Sequence, residues 1–246
     1  MILKKPADKE MSFIEHLEEL RKRLLKMFAA VILFAIGAYY YSDKIIDYFT
    51  RPLPQVYFMA PTEAFMVRIK MSLIVGAIVA MPVIIYQLWM FVGPGLLKRE
   101  VGVVAPIVIS ATIFFLLGGG LCFFLVLPAA VKLLLSFGTA NLQPLISIDS
   151  YISFAGMMIL AFGLVFELPV ASFILGRIGI IDHKLLAKGR RFAVVIILLV
   201  AAILTPTPDA FNQLLLAGPM YILYEISIIV VWLTGKKRDK ESASAG

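Results

Sequence analysis

The run VGVVAPIVISATIFFLLGGGLCFFLVLPAAVKLLL, Val101 to Leu135, holds a single charged residue, Lys132. A helix needs about 20 apolar residues to cross a hydrocarbon core of about 30 Å, whereas a spanning β-strand needs only about ten, alternating in polarity. This run is continuous and does not alternate, so it reads as a transmembrane helix. It is longer than a bilayer requires, and Pro106, Gly118, Gly119, Gly120 and Pro128 lie within it. Proline removes a helix hydrogen bond and glycine admits a neighbouring backbone, so tilt or a kink is expected, with a close helix contact at the glycines.

Five further apolar runs flank it: Leu24 to Tyr41, Met71 to Val92, Ile152 to Leu175, Phe192 to Leu204 and Phe211 to Leu233. Composition agrees, with 61% hydrophobic and 16% charged residues and a mean hydropathy of +0.94; soluble domains are roughly half apolar and a quarter charged. The expected fold is therefore all-α, a polytopic membrane protein with six transmembrane helices. Linkers are short and no internal repeat is visible, so residues 1–246 read as a single integral membrane domain. Residues 1–23 read as a cytoplasmic interfacial helix and 236–246 as a flexible cytoplasmic tail. At about 1.5 Å per residue the fifth run reaches only about 20 Å, which places it beside longer helices or in a thinned bilayer.

The net charge of +7 invites a nucleic-acid reading, and the location of the charges argues against it. With the amino terminus assigned to the cytoplasm, 18 of the 23 Lys and Arg fall on that side, against five (Lys44, Arg51, Arg68, Lys70 and Lys132) on the other. That excess is the positive-inside pattern, and it puts both termini in the cytoplasm. No basic-aromatic nucleic-acid motif accompanies it. The first run ends in YYYS, not in a small-residue cleavage site, so it reads as a retained span. The lone Cys122 reads as a small apolar core residue.

Chemical motifs are absent: no GxxxxGK[ST], HExxH or GxSxG, and two histidines, His16 and His183, outside any metal-ligand constellation. An enzyme, a metal site and a cofactor are accordingly not expected. Two carboxylates fall within spans, Glu167 in AFGLVFELPV and Glu225 in YILYEISI. A charge at that depth costs at least about 2.5–3.5 kcal/mol, so each needs a partner, a proton or a wet cavity. For Glu167, two residues before Pro169, a protonated hydrogen-bonded carboxyl and a functional polar site both fit. Glu225, between Tyr224 and Ser227, reads as an interhelical hydrogen-bonding group.

Polar segments mark the aqueous faces. YQLWMFVGPGLLKRE places Tyr86, Trp89 and Phe91 as an interfacial belt before a turn and the charges Lys98, Arg99 and Glu100. RPLP, APTEAF and TPTPDAF read as proline-stiffened loops, a rigid but chemically silent cap. In FIEHLEELRKRLL, Phe13, Leu17, Leu20 and Leu24 recur at helical spacing as one apolar stripe, expected to seat the helix at the interface or on the bundle. Glu18 with Lys22 and Glu19 with Arg23 are i,i+4 pairs worth a few tenths of a kcal/mol each.

As an ordered set, HLEELRKRL, YQLWMFVGPGLLKRE, FGLVFELPV, TPTPDAFNQ and GPMYILYEIS resemble the TatC family, the multispanning receptor subunit of the twin-arginine protein translocase. The resemblance covers nearly the whole chain. It implies a signal-peptide-binding group in which Glu19 and Glu100 take the twin arginines of folded precursors, with Arg21, Phe91 and Lys98 around them. The residues LR after the Glu18–Glu19 doublet favour Glu19. It further implies outer-loop roles for Pro52 and Asp209, the latter after a TPTPD one residue longer than the TPPD expected, and an intramembrane polar role for Glu167. Short fifth and sixth helices, a cytoplasmic (inner) membrane location, TatB-like and TatA-like single-span partners, membrane lipid, self-association and use of the proton-motive force follow from the same resemblance. The competing expectation is a proton- or cation-coupled secondary transporter using Glu167, and a third is a structural membrane scaffold. No repeated half supports the transporter.

Overall fold

The computed structural model describes residues 13–92, 101–136, 138, 145–204 and 210–244. Their regular elements are helices, with one isolated bridge between Tyr57 and Ser147. In chain order these are α1 (Phe13–Tyr40), α2 (Ser42–Thr50), α3 (Glu63–Val79), α4 (Met81–Val92), α5 (Val101–Leu121), a π turn (Cys122–Val126), α6 (Leu127–Ser136), α7 (Ile148–Phe166), α8 (Leu168–Ile178), α9 (His183–Leu204) and α10 (Ala210–Ser244). Among the described residues four runs are long and apolar enough to cross a membrane: Ile14–Tyr40, Val104–Ser136, Ile148–Ile178 and Gln213–Gly235; α3 and α4 together make a fifth, bent by 56°.

Proline explains where the long spans bend. Pro82 has no N–H for the carbonyl of Ile78, so α3 ends at Val79 with Ala80 as its C-cap, and Val83 and Ile84 of α4 both donate to Ala80 O, at 2.9 and 3.0 Å. The second span is thus two helices and not the single run Met71 to Val92. Pro128 acts on the third span: its ring crowds the preceding turn, and the helix widens there so that Leu127 N–H reaches back five residues to Cys122 O. Pro169 lies just past Glu167, where α7 stops and α8 begins.

Glycines set the close contacts. A Cβ at Gly118 would stand 2.6 Å from Phe166 Cγ and 2.7 Å from Phe162 O, while the ring of Phe115 fills the space over Gly163. Each helix of the α5–α7 pair therefore offers a glycine notch to a phenylalanine of the other. Of the triplet, Gly119 is looser and Gly120 faces open space. One apolar core joins α3, α5 to α7, α9 and α10 around Met71, Leu127, Ile152, Met158, Phe162 and Leu216. A second ties α4, α5 and α8 through Ile85, Phe115 and Ile174.

Residues 13–23 run on as the first turns of α1, since nothing in RKRLLKMF breaks the helix. Three expectations need correction. The stripe Leu17, Leu20 and Leu24 does not seat that helix on the protein: these leucines are exposed, and the half-buried line His16, Glu19, Arg23, Met27 and Ala30 faces the neighbouring helices. In a lipid solvent apolar side chains gain nothing by turning inward, whereas polar ones do. The fifth and sixth helices are not short: α9 has 22 residues and α10 has 35. What is short in α9 is its apolar part, because Lys184, Lys188, Arg190 and Arg191 fill its first turns. The tail expected to be flexible continues α10 to Ser244, through Lys, Arg and Glu, all good helix formers.

At the end of the bundle carrying Glu63 and Ser147, the loop after α2 is stitched to the start of α7. The carboxylate of Glu63 accepts from Met59 N–H (2.5 Å), Ala60 N–H (3.3 Å), Ser147 Oγ–H (2.5 Å) and Asp149 N–H (3.0 Å). Tyr57 N–H donates to Ile146 O and Ile148 N–H to Tyr57 O, each at 2.9 Å. Lys70 adds an ion pair to Asp149 at 2.5 Å and a bond to Ser153 Oγ at 2.7 Å. Glu63→Ala leaves four donors without their acceptor, so the loop between α2 and α3 is expected to open: limited proteolysis of the purified chain should cut within residues 51–62 roughly tenfold faster than in the unaltered protein. An unchanged cleavage rate would show that the backbone bridge alone holds the loop.

Candidate functional site

Polar residues inside an apolar bundle mark the place to look, and α1 presents a row of them. His16, Glu19 and Arg23 sit three and four residues apart and share the helix face turned toward α4. On α4, Gln87 and Phe91 are also four apart. The two rows meet: His16 stacks on Phe91 with ring centroids 4.4 Å apart and 14° between planes. One turn along, Arg23 Nη1 donates to Gln87 Oε1 at 3.3 Å. Arg23 Nε donates to Glu19 Oε1 at 2.9 Å, and its Nη2 reaches the same oxygen.

The two i,i+4 pairs of α1 are therefore unlike. Lys22 and Glu18 pair at 2.9 Å with side chains 68% and 59% exposed, while Arg23 and Glu19 are only 15% and 23% exposed. Geometry thus separates the acidic doublet: Glu18 belongs to the outer face and Glu19 to the groove between α1 and α4. Arg21 lies on the exposed side, away from Gln87. A half-buried carboxylate held on a helix surface can accept a guanidinium through paired charge-assisted bonds, and Arg23 is such a guanidinium.

The other candidates are dispersed. Lys98 and Glu100 lie outside the described residues, as does Asp209. Residues 93–100 connect α4, which carries Phe91 and Gln87, to α5. Pro52 is exposed in the turn after α2, next to Arg51, whose guanidinium lies 4.9 Å from the Tyr48 ring centroid. Glu225 on α10 accepts from Arg190 Nη2 of α9 at 2.9 Å and from Tyr221 Oη at 3.0 Å, an interhelical ion pair. That hydrogen bond also raises the pKa of the Arg190 guanidinium. Glu167 sits in the turn between α7 and α8, with Oε1 buried and no hydrogen-bond partner among the described residues. No cluster of three metal-ligating side chains occurs among the described residues.

Two participants escape a sequence reading. Gln87 is an amide in an otherwise apolar run, and its position four residues before Phe91 was the available signal. Glu63 hides in a loop motif whose carboxylate becomes informative only when Ser147 and Asp149, far along the chain, arrive beside it.

Comparison with known proteins gives a consistent result. The family model described as "Sec-independent protein translocase protein (TatC)" matches residues 15–219. The Sec-independent protein translocase protein TatC of Carboxydothermus hydrogenoformans is 41% identical over 227 residues, 91% of this chain and 93% of the relative. That of Aquifex aeolicus is 38% identical over 245 residues, covering 95% and 100%. Among solved structures, a crystal structure of the twin arginine translocase receptor TatC superposes with a TM-score of 0.80 at 36% identity, covering 89% of this chain and 99% of that one.

Proposed function

The chain belongs to the TatC family of Sec-independent protein translocase proteins, and on that premise we propose that it is a receptor for twin-arginine signal peptides, reading the arginines with Glu19 and Glu100. The observation that carries this reading is the placement of Glu19: half-buried, on the α1 face that meets α4, at the end of α4 from which the segment bearing Glu100 departs. Two carboxylates suit two adjacent guanidinium groups, each taken through paired charge-assisted bonds. Lysine offers a point charge without the planar fork, so a twin-lysine sequence binds more weakly.

In this reading six helices span the cytoplasmic (inner) membrane, α9 being the fifth and α10 the sixth, with both termini in the cytoplasm as the distribution of Lys and Arg supports. The protein performs no bond chemistry of its own. With a TatB-like partner it captures precursors, and the proton-motive force then drives recruitment of TatA-like single-span subunits that form the passage. Phe91, stacked on His16, braces the floor of the groove, and the cations Arg21 and Lys98 belong to the same proposed signal-peptide-binding group. Outer-loop roles for Pro52 and Asp209 belong to the same proposal. The family assignment displaces the alternative of a solute transporter built on Glu167.

The test is direct binding. Glu19→Ala combined with Glu100→Ala should weaken crosslinking or pull-down of a twin-arginine signal peptide on the order of 100-fold, as expected for two lost charge-assisted contacts. Full retention of binding, relative to a twin-lysine control peptide, would sink the proposal.

A further inference from the structure

Arg23 already gives Glu19 what the proposed ligand would give it. Two of its nitrogens donate to Glu19 Oε1, and a third reaches Gln87. The pair is screened from solvent far more than the neighbouring Glu18–Lys22 pair. Gln87 is itself 9% exposed, so the guanidinium is clasped between two helices and is not waving in water.

We propose that Arg23 is an internal occupant of the arginine site, masking Glu19 until a signal peptide displaces it, with Gln87 retaining the displaced side chain. This inference rests on the reading of Glu19 given above. Charge decides between displacement and sharing. Glu19 and Arg23 together are neutral, and adding a peptide guanidinium would leave a net positive charge between two cations at close range in a half-buried groove. Such like-charge crowding is costly where water is partly excluded. If Arg23 swings away, the peptide arginine inherits a neutral pairing. Arginine has five donors, so the side chain can release Glu19 and keep its bond to the Gln87 carbonyl.

The thermodynamic consequence is specific. A mask held by the protein lowers the affinity of every ligand for Glu19 by the same fraction, the population in which the carboxylate is unmasked. It therefore leaves the ratio between twin-arginine and twin-lysine peptides unchanged. Its effect is a threshold: weak basic segments fall below useful occupancy while a paired guanidinium motif still binds. A purely structural clip between α1 and α4 would behave oppositely, since its loss would loosen the groove and weaken binding.

The full chain in phospholipid nanodiscs is titrated with fluorescent signal peptides carrying Arg-Arg or Lys-Lys. Arg23→Gln should tighten both peptides by about fivefold, the scale expected for one partly buried charge-assisted contact, with their ratio unchanged. Arg23→Lys, which keeps the charge and folds in the same helix but loses the fork, should fall between. Equal or weaker binding in both variants overturns the mask, provided Glu19→Gln weakens twin-arginine binding in the same assay. If Glu19→Gln instead binds like the unaltered protein, it is the assignment of Glu19 that fails.

Discussion

Gly76→Val is expected to detach the first helix from the bundle. A Cβ at Gly76 would lie 2.7 Å from Ala35 N, 2.8 Å from Ala35 Cα and 2.9 Å from Ala35 Cβ. These are backbone atoms and the first side-chain carbon, so no rotamer change can relieve the clash; α1 and α3 must separate. Overpacking in a well-packed interior costs about 1–3 kcal/mol, and a backbone obstruction stands at or above the top of that range. The effect is amplified because α1 is peripheral, with only 6% of its best membrane-spanning window buried. It packs on α3 and α4 and touches α2 briefly, so this seam is most of what holds it.

The seam also carries the site. Glu19 and Arg23 lie on the same continuous helix as Ala35, so parting α1 from α3 disturbs their approach to Gln87 and Phe91. Gly76→Val should therefore lower the melting temperature in detergent and remove signal-peptide binding together. Gly37→Val supplies a matched control on α1, since a Cβ there meets nothing within 4 Å. Coincident loss in Gly76→Val and no loss in Gly37→Val is the expected pattern. Normal stability of Gly76→Val would mean that α1 can shift along α3 without penalty.

Much of the architecture was legible because membrane crossing writes long apolar runs into the chain. The breaks were legible in part. Pro128 and Pro169 stood out beside the glycine triplet and Glu167, yet Pro82 did the most, bending one expected span by 56°. Helix orientation was the part that misled. In FIEHLEELRKRLL the leucines were expected to seat the helix at the interface or on the bundle, and their exposure removes the second alternative. The stripe that packs is His16, Glu19 and Arg23, which a solvent-based reading assigns to the surface. Glu19 and Glu18 are adjacent in sequence; the LR that follows favoured Glu19 by resemblance, and the partner helix separates the two, through Arg23 and its bond to Gln87. Glu225 was readable as an interhelical hydrogen-bonding group, but its partner Arg190 lies 35 residues away and had no local signal.

Glu167→Leu is expected to stabilise the protein and impair export. Glu167 occupies the turn where α7 gives way to α8: its N–H donates to Leu164 O at 3.1 Å, and its own carbonyl accepts from Ala171 N–H at 2.8 Å. The main chain there is satisfied without the side chain. The carboxyl oxygen Oε1 is buried and has no hydrogen-bond partner among the described residues. A buried polar atom left without a partner costs about 1–3 kcal/mol that leucine would not. Stability alone would therefore have favoured leucine here, and retaining a carboxyl at such cost points to use in transport. Glu167→Gln separates the two effects: it removes the ionisable proton while keeping a polar group of the same size, so its stability should stay near that of the unaltered chain. Thermal unfolding in detergent and export of a twin-arginine reporter, measured on the same variants, give both axes. A leucine variant that melts no higher would show that Oε1 has a partner in the membrane, from water or another subunit; one that melts higher and exports normally would show that the carboxyl is dispensable.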